Sequence, residues 1–139
     1  MVSIVGFGFS ANAQTIQELF DKGNAAYSKG DYDKAIEFYQ KIIDIKPIAN
    51  VYCNMGAAYK DGKKNYNRAI ECYKKAIELQ PNFPEAYFNM ASAYKSLENY
   101  NKAIECCKKA IQLGYEPAKK LLEDLEMLEM YDAFQEIMQ

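Results

Sequence analysis

The chain has 139 residues, about the size of one ordinary domain, which excludes an assembly of several independent catalytic units. Half of the residues are apolar and 26% are charged, so the chain can build a core and is not intrinsically disordered. It contains no histidine, which excludes Ser-His-Asp catalysis and the usual histidine-containing zinc sites. The net charge is −2 and no dense basic stripe is present, so we expect no binding to nucleic acid.

The first 13 residues differ in composition from the rest. Residues 2–9 are apolar and uncharged, and residues 10–13 are of the small kind that precedes a signal-peptidase cut. A basic start is missing, because no Lys or Arg precedes Lys22. We expect residues 1–13 to be the remnant of a signal peptide, which implies a periplasmic or otherwise exported protein. The alternative is an N-terminal arm on a cytoplasmic protein. No apolar run has the length of a membrane span.

A 34-residue repeat follows this segment. The pattern Tyr-x-x-Ala-Ile-Glu begins at Tyr32, Tyr66 and Tyr100, and three copies at constant spacing predict a repeat architecture. A second matching series lies upstream in each unit. It begins at Gly23, Gly56 and Ala91.

Apolar spacing within the repeat predicts helices. In the later half of the second unit, the apolar positions follow one stripe of an α-helix, and the earlier half has the same period. That stripe consists of Ala69, Cys72, Tyr73, Ala76 and Leu79. Each unit is therefore predicted to be helix, turn, helix.

Short oxygen-bearing residues mark the predicted helix starts. Asp31, Asn65 and Asn99 each precede the repeated tyrosine, where their side chains can accept from free backbone N–H groups as N-caps. Thr15 with Glu18 has the form of a capping box and predicts that the first helix begins at about residue 16.

These motifs resemble the tetratricopeptide repeat, or TPR, which has a small residue in its first helix and an aromatic residue before an alanine in its second. The resemblance implies three units, at about residues 16–48, 49–83 and 84–117 within residues 14–117. The implied fold is all-α, a right-handed superhelix of three helix-turn-helix units closed by a C-terminal capping helix over residues 118–139. In this chain the alanines are Ala35, Ala69 and Ala103, and the closing prolines are Pro47 and Pro81.

Two packing expectations follow from this pattern. The small residues at Gly23, Gly56 and Ala91 allow the two helices of a unit to approach closely, and we expect the repeated alanine to oppose them. The capping helix is expected to cover the last unit with one apolar stripe. That stripe consists of Leu121, Leu122, Leu125 and Leu128.

The cysteines are expected to be core residues. Cys72 and Cys106 are 34 residues apart and so occupy the same position in successive units. Neighbouring Cys106 and Cys107 point about 100° apart on a helix and cannot form a comfortable disulfide. We find no pattern for a metal, a cofactor or a catalytic site, and we expect no enzymatic activity.

The resemblance implies that function lies on the surface, in a concave groove that holds a peptide or protein segment. We therefore predict an interaction adaptor or scaffold. Asn54 and Asn89 are equivalent and could bind a ligand backbone, because an amide both donates and accepts; alternatively they bond their own helix neighbours. Phe20, Tyr27 and Phe88 are either anchors or buried contacts. The family's groove positions carry over to Phe20, Asp21, Asn24, Tyr27, Asn54, Lys60, Phe88, Asn89 and Lys95.

One comparison within the family fails at three positions. TPR domains of co-chaperones that bind the acidic C-terminal tail of heat-shock chaperones use two asparagines and several cations. Asn24 and Asn54 match the asparagines, but Phe20, Glu85 and Asn89 fill the cation positions. Because a carboxylate would find no cationic partner there, we do not expect this chain to bind such tails.

The predicted capping helix carries a second apolar stripe, offset from the leucines. Its residues are Met127, Met130, Tyr131, Phe134 and Met138. Exposed Met and aromatic clusters are frequent contact sites, so this stripe predicts a homo-oligomer. The alternatives to a groove-binding adaptor of the cell envelope are therefore a structural homo-oligomer assembled through this helix, or a cytosolic scaffold of the same fold.

The signal-peptide interpretation makes a first prediction. If residues 1–13 are removed on export, protein from a non-cytoplasmic fraction of the native cell begins at Gln14. Intact-mass measurement tests this, and retention of Met1 on all such protein would contradict it.

Overall fold

The computed structural model describes the backbone of residues 5–139 and the side chains of residues 12–139. Over this range the chain forms seven α-helices and no strand, in agreement with the predicted all-α class. The helices are α1 Val5–Ser28, α2 Tyr32–Ile45, α3 Ala49–Lys63, α4 Tyr66–Leu79, α5 Pro84–Ser96, α6 Tyr100–Gln112 and α7 Ala118–Met138.

Each helix packs chiefly on its neighbours in the chain, as short connections require. Helices α1 and α2, α3 and α4, and α5 and α6 form three hairpins, while α7 packs on α6. The first helices of successive units also come close to one another, since α3 contacts α5 and α5 contacts α7. They therefore line the inner side of the array, where a groove is expected.

The second helices begin as the sequence predicts. The side-chain oxygens of Asp31, Asn65 and Asn99 each accept from the backbone N–H three residues later, at 3.2–3.3 Å. The predicted start of the first helix is wrong, because α1 begins at Val5 and not near residue 16. A capping box satisfies N–H groups where a helix starts, but it does not stop a preceding segment that continues the same helix. Residues 1–4 of the expected leader lie outside the described residues.

In the first and second units, a close contact between a glycine and a tyrosine packs the two helices of the unit together. A Cβ added at Gly23 would lie 2.6 Å from Cε1 of Tyr39, and one at Gly56 would lie 2.7 Å from Cε1 of Tyr73. The sequence predicts that the repeated alanine opposes the glycine. The structure differs, because the tyrosine ring fills most of that space. Only the backbone oxygen of Ala69 joins the ring, at 3.1 Å from the added atom at Gly56.

The third unit has different residues at the two equivalent positions. Cys107 lies 34 residues after Tyr73, where the smaller side chain leaves room for Ala91 in place of glycine. Ala91 and Cys107 are both fully buried in one apolar cluster. The cysteines are core residues as predicted, since all four are buried and free.

The apolar stripes predicted on α4 and α7 differ in how completely they are buried. In α4 the predicted stripe is buried through Ala76, but Leu79, its last residue, is 46% exposed. In α7, Leu125 is fully buried and Leu121, Leu122 and Leu128 are half-buried. The proximal half of α7 therefore covers the third unit, as a capping helix should.

The equivalent tyrosines differ at their hydroxyl groups. The Tyr39 hydroxyl donates to Oδ1 of Asn24 at 2.7 Å. The Tyr73 hydroxyl is buried and has no hydrogen-bond partner among the described residues. The sequence supplies the reason, because the residue after Gly56 is Ala57, whereas the residue after Gly23 is Asn24.

This difference predicts that replacing tyrosine by phenylalanine has different effects on stability at the two equivalent positions. Tyr39→Phe removes a hydrogen bond and should lower the free energy of unfolding by about 1 kcal/mol. Tyr73→Phe removes a hydroxyl that is buried without a partner, so it should leave stability unchanged or raise it. Urea unfolding followed by circular dichroism measures both, and equal losses would contradict the hydrogen-bond assignment.

Candidate functional site

A pocket of about 360 Å³ opens between α1 and α3 on the inner side of the array. It unites three of the predicted groove residues, Asn24, Tyr27 and Asn54. The other predicted residues lie outside it. Its lining residues are Asn24, Tyr27, Ser28, Tyr39, Asn54 and Ala57.

An amide pair forms the polar centre of this pocket. Oδ1 of Asn24 accepts from the Tyr39 hydroxyl at 2.7 Å and from Nδ2 of Asn54 at 3.3 Å. Burial raises the pKa of Tyr39, and the nearby Asn54 amide opposes that rise. The hydroxyl therefore stays protonated as the donor, and Asn24 is held in one orientation. Within residues 12–139, Nδ2 of Asn24 and Oδ1 of Asn54 make no hydrogen bond and are free to face a ligand.

A polar chain borders the pocket on the side of Tyr27. The Tyr27 hydroxyl donates to Oδ2 of Asp61, and Nζ of Lys60 lies 3.0 Å from Oδ1 of the same carboxylate. Burial, followed by the hydrogen bond to Asp61, raises the pKa of Tyr27. Lys60, one of the predicted groove residues, is therefore paired within the protein.

The third unit contributes an apolar contact and a second amide. The Phe88 and Tyr115 rings pack with their centroids 5.2 Å apart. Nδ2 of Asn89 donates to Sγ of Cys53 at 3.8 Å. Burial raises the pKa of Cys53 to about 11, and the Asn89 amide opposes that rise. This hydrogen bond joins α5 to α3, so it is not the bond to its own helix neighbours that we left open as the alternative for Asn89. Sulfur is a weak acceptor, and the carbonyl side of the Asn89 amide remains usable.

Three further groove residues were predicted: Phe20, Asp21 and Lys95. Phe20 is half-buried against the Tyr39 ring, with centroids 6.4 Å apart, so it is a packing residue beside the pocket-lining tyrosine. Asp21 is exposed and accepts from Nε2 of Gln17 at 2.9 Å. Lys95 is half-buried in the last turn of α5.

The site has no cluster of cations to hold a carboxylate. Phe20 and Asn89 are uncharged, and Glu85 is an exposed acid at the start of α5. Among the described residues, no group of three or more Cys, Asp or Glu side chains is placed to hold a metal ion. In the same part of the chain, no helix combines the length and apolarity that crossing a membrane requires.

Tyr39 is the site residue that the sequence reasoning missed. It lies on a second helix, whereas the groove positions were taken only from first helices. Its ring reaches the inner side because Gly23 has no side chain to block it. The 34-residue spacing from Tyr39 to Tyr73, read together with the glycine series, is the signal that could have found it.

Comparison with known families agrees with this architecture. The profile of the tetratricopeptide repeat matches residues 16–47 and 84–113, and a TPR repeat profile matches residues 63–97. Together the matches cover more than half of the chain. The chain belongs to the tetratricopeptide repeat family. It is an all-α TPR superhelix with a C-terminal helix, as the sequence predicted.

Solved TPR domains share the whole fold. The TPR2B domain of yeast Sti1, solved in a pHsp70 complex, is 26% identical with a TM-score of 0.78, over 83% of this chain and 98% of that chain. The Arabidopsis OM64 TPR domain is 27% identical with a TM-score of 0.77, over 82% and 96%. The first TPR of Spaghetti (RPAP3), bound to the HSP90 peptide SRMEEVD, has a TM-score of 0.80 over 84% and 94%, but at 24% identity it shows the fold alone.

One curated relative is similar over a shorter stretch. Heat shock protein STI1 of Saccharomyces cerevisiae is 42% identical over 52 residues, which is 36% of this chain and 9% of that protein. This chain therefore corresponds to a small part of that relative.

Proposed function

We propose that the chain is a non-enzymatic adaptor that holds an extended peptide segment in the groove lined by α1, α3 and α5. The observation that carries this proposal is the pocket between α1 and α3, where Asn24 and Asn54 face the groove. An extended peptide presents alternating N–H and C=O groups, and amides can pair with both. A concave array of stacked repeats supplies the length such a ligand needs.

The pocket is organised in advance of binding. Asn24 is fixed by the Tyr39 hydroxyl, and Asn54 is fixed by Asn24, so a ligand need not order these side chains. Phe20, which packs on Tyr39, and Phe88, which packs on Tyr115, add half-buried apolar surface. We therefore propose recognition of a peptide backbone with one or two apolar side chains.

The charges of the groove set the class of peptide. The HSP90 peptide in the Spaghetti (RPAP3) complex ends in the acidic sequence EEVD. In this chain, Glu85 would repel such an end, and Lys60 is already paired with Asp61. We propose that the ligand here is an uncharged or mildly basic segment, and that binding does not depend on a terminal carboxylate.

The groove proposal predicts the effect of removing one amide. Peptides are first selected on the purified chain from a random library of 12-residue sequences displayed on phage. Asn54→Ala should weaken the selected peptides about tenfold in fluorescence anisotropy, because a desolvated peptide group loses its partner.

The matched control is Lys60→Ala in the same helix. Because Lys60 is paired with Asp61 and a surface ion pair is worth about 1 kcal/mol or less, this variant should change affinity less than about threefold. Circular dichroism should show equal helicity for both variants. Equal losses, or full affinity in Asn54→Ala, would place the ligand outside the amide pocket.

The charge proposal predicts a gain of binding. The peptide SRMEEVD should show no saturable binding to the wild-type chain up to about 100 µM, since no cation cluster compensates its acids. Glu85→Lys with Asn89→Arg should bind it at least about tenfold more tightly. Wild-type binding at low micromolar concentration that is lost when the peptide end is amidated would contradict the proposed ligand class.

A further inference from the structure

The distal half of α7 presents a continuous apolar face to solvent. Six large side chains within three turns are 57–81% exposed, although they lie on a helix whose proximal half is part of the core. These residues are Met127, Met130, Tyr131, Phe134, Ile137 and Met138.

The apolar side of α7 changes direction along the helix. At about 100° per residue, Phe134 lies about 180° from the buried Leu125. Glu129, Asp132 and Glu136 continue on the Leu125 side instead, within about 40° of it. They border a cleft of about 550 Å³ that α7 shares with the turn between α5 and α6. The acids thus face the body of the protein, and the apolar residues face away from it.

The exposed stripe has the spacing of a two-helix interface. If Met127 is position a of a heptad, the six residues occupy positions a, d, e, a, d and e. Ala133 and Gln135 lie at the edges of the stripe and are uncharged, while the three acids are on the opposite side. Glu126 lies on the same edge as Ala133, so a second copy of this face can approach without bringing like charges together if the two Glu126 side chains are kept apart.

The area of the face fits a weak dimer. If a large side chain offers roughly 150–250 Å² when fully exposed, the six residues present on the order of 700 Å² per copy. This exceeds the roughly 300–600 Å² of the largest patch on a typical monomer and approaches the roughly 800 Å² per partner of a standard interface.

We propose that two copies of this chain pair through the distal half of α7 in an antiparallel arrangement. Met127 then meets Ile137 of the partner subunit, and Met130 meets Phe134 of the partner subunit. Antiparallel pairing opposes the helix dipoles, whereas parallel pairing would align them, and it separates the two Glu126 side chains by about 18 Å along the helix. The dimer carries two grooves and can bind a ligand with two recognition segments more tightly than one groove can.

Sedimentation velocity of the full chain between about 1 and 300 µM tests the dimer, with a dissociation constant expected on the order of 10 µM. Met130→Gln with Phe134→Gln should weaken association at least about 100-fold. Asp132→Asn with Glu136→Gln, on the opposite side of the same turns, should not weaken it. A wild-type chain that stays monomeric throughout overturns the proposal and leaves the face for another partner.

Cysteine crosslinking tests the orientation, because the four native cysteines are buried and do not compete. Under mild oxidation, Met127→Cys mixed with Ile137→Cys should form a disulfide between the two variants. Met127→Cys alone should not, since antiparallel pairing separates the two copies of residue 127 by about 15 Å along the helix. Crosslinking of Met127→Cys with itself would overturn the antiparallel arrangement. Neither result depends on peptide binding, so the groove proposal is tested separately.

Discussion

The close approach of two helices over a residue with little or no side chain is the contact on which each unit depends. Tyr39 fills the space that Gly23 leaves, and Tyr73 does the same at Gly56. In the third unit a smaller residue, Cys107, accompanies Ala91. Because protein interiors are close-packed, the volumes on the two helices must be complementary, so a smaller residue on the second helix of the third unit accompanies a larger one on its first helix.

The same contact shapes the groove. The Tyr39 ring passes over Gly23, so its hydroxyl reaches the inner side and orients Asn24, which in turn holds Asn54. A packing tyrosine therefore determines the direction of an amide that lines the pocket. In the second unit the hydroxyl of Tyr73 has no such partner, because Ala57 replaces the asparagine. The polar centre of the groove thus lies between the first and second units.

The two halves of helix α7 have different surroundings. Its proximal half covers the third unit through Leu125, and its distal half turns an apolar face to solvent. A terminal repeat with a wholly polar outer face would only end the array. Here the closing helix also carries an exposed apolar surface of its own.

The fold follows from local features that the sequence carries in full. The helical spacing of apolar residues and the caps at Asp31, Asn65 and Asn99 each act within one or two turns of chain, and the 34-residue period repeats them in each unit. The side-chain arrangement of the site cannot be derived from these local features. Whether Asn89 faces a ligand or Cys53, and whether Tyr39 reaches the groove, depend on side chains that meet only after the helices pack. Sequence periodicity assigns a residue to a face, but it does not determine which neighbour satisfies its polar atoms, and that the tertiary structure alone decides.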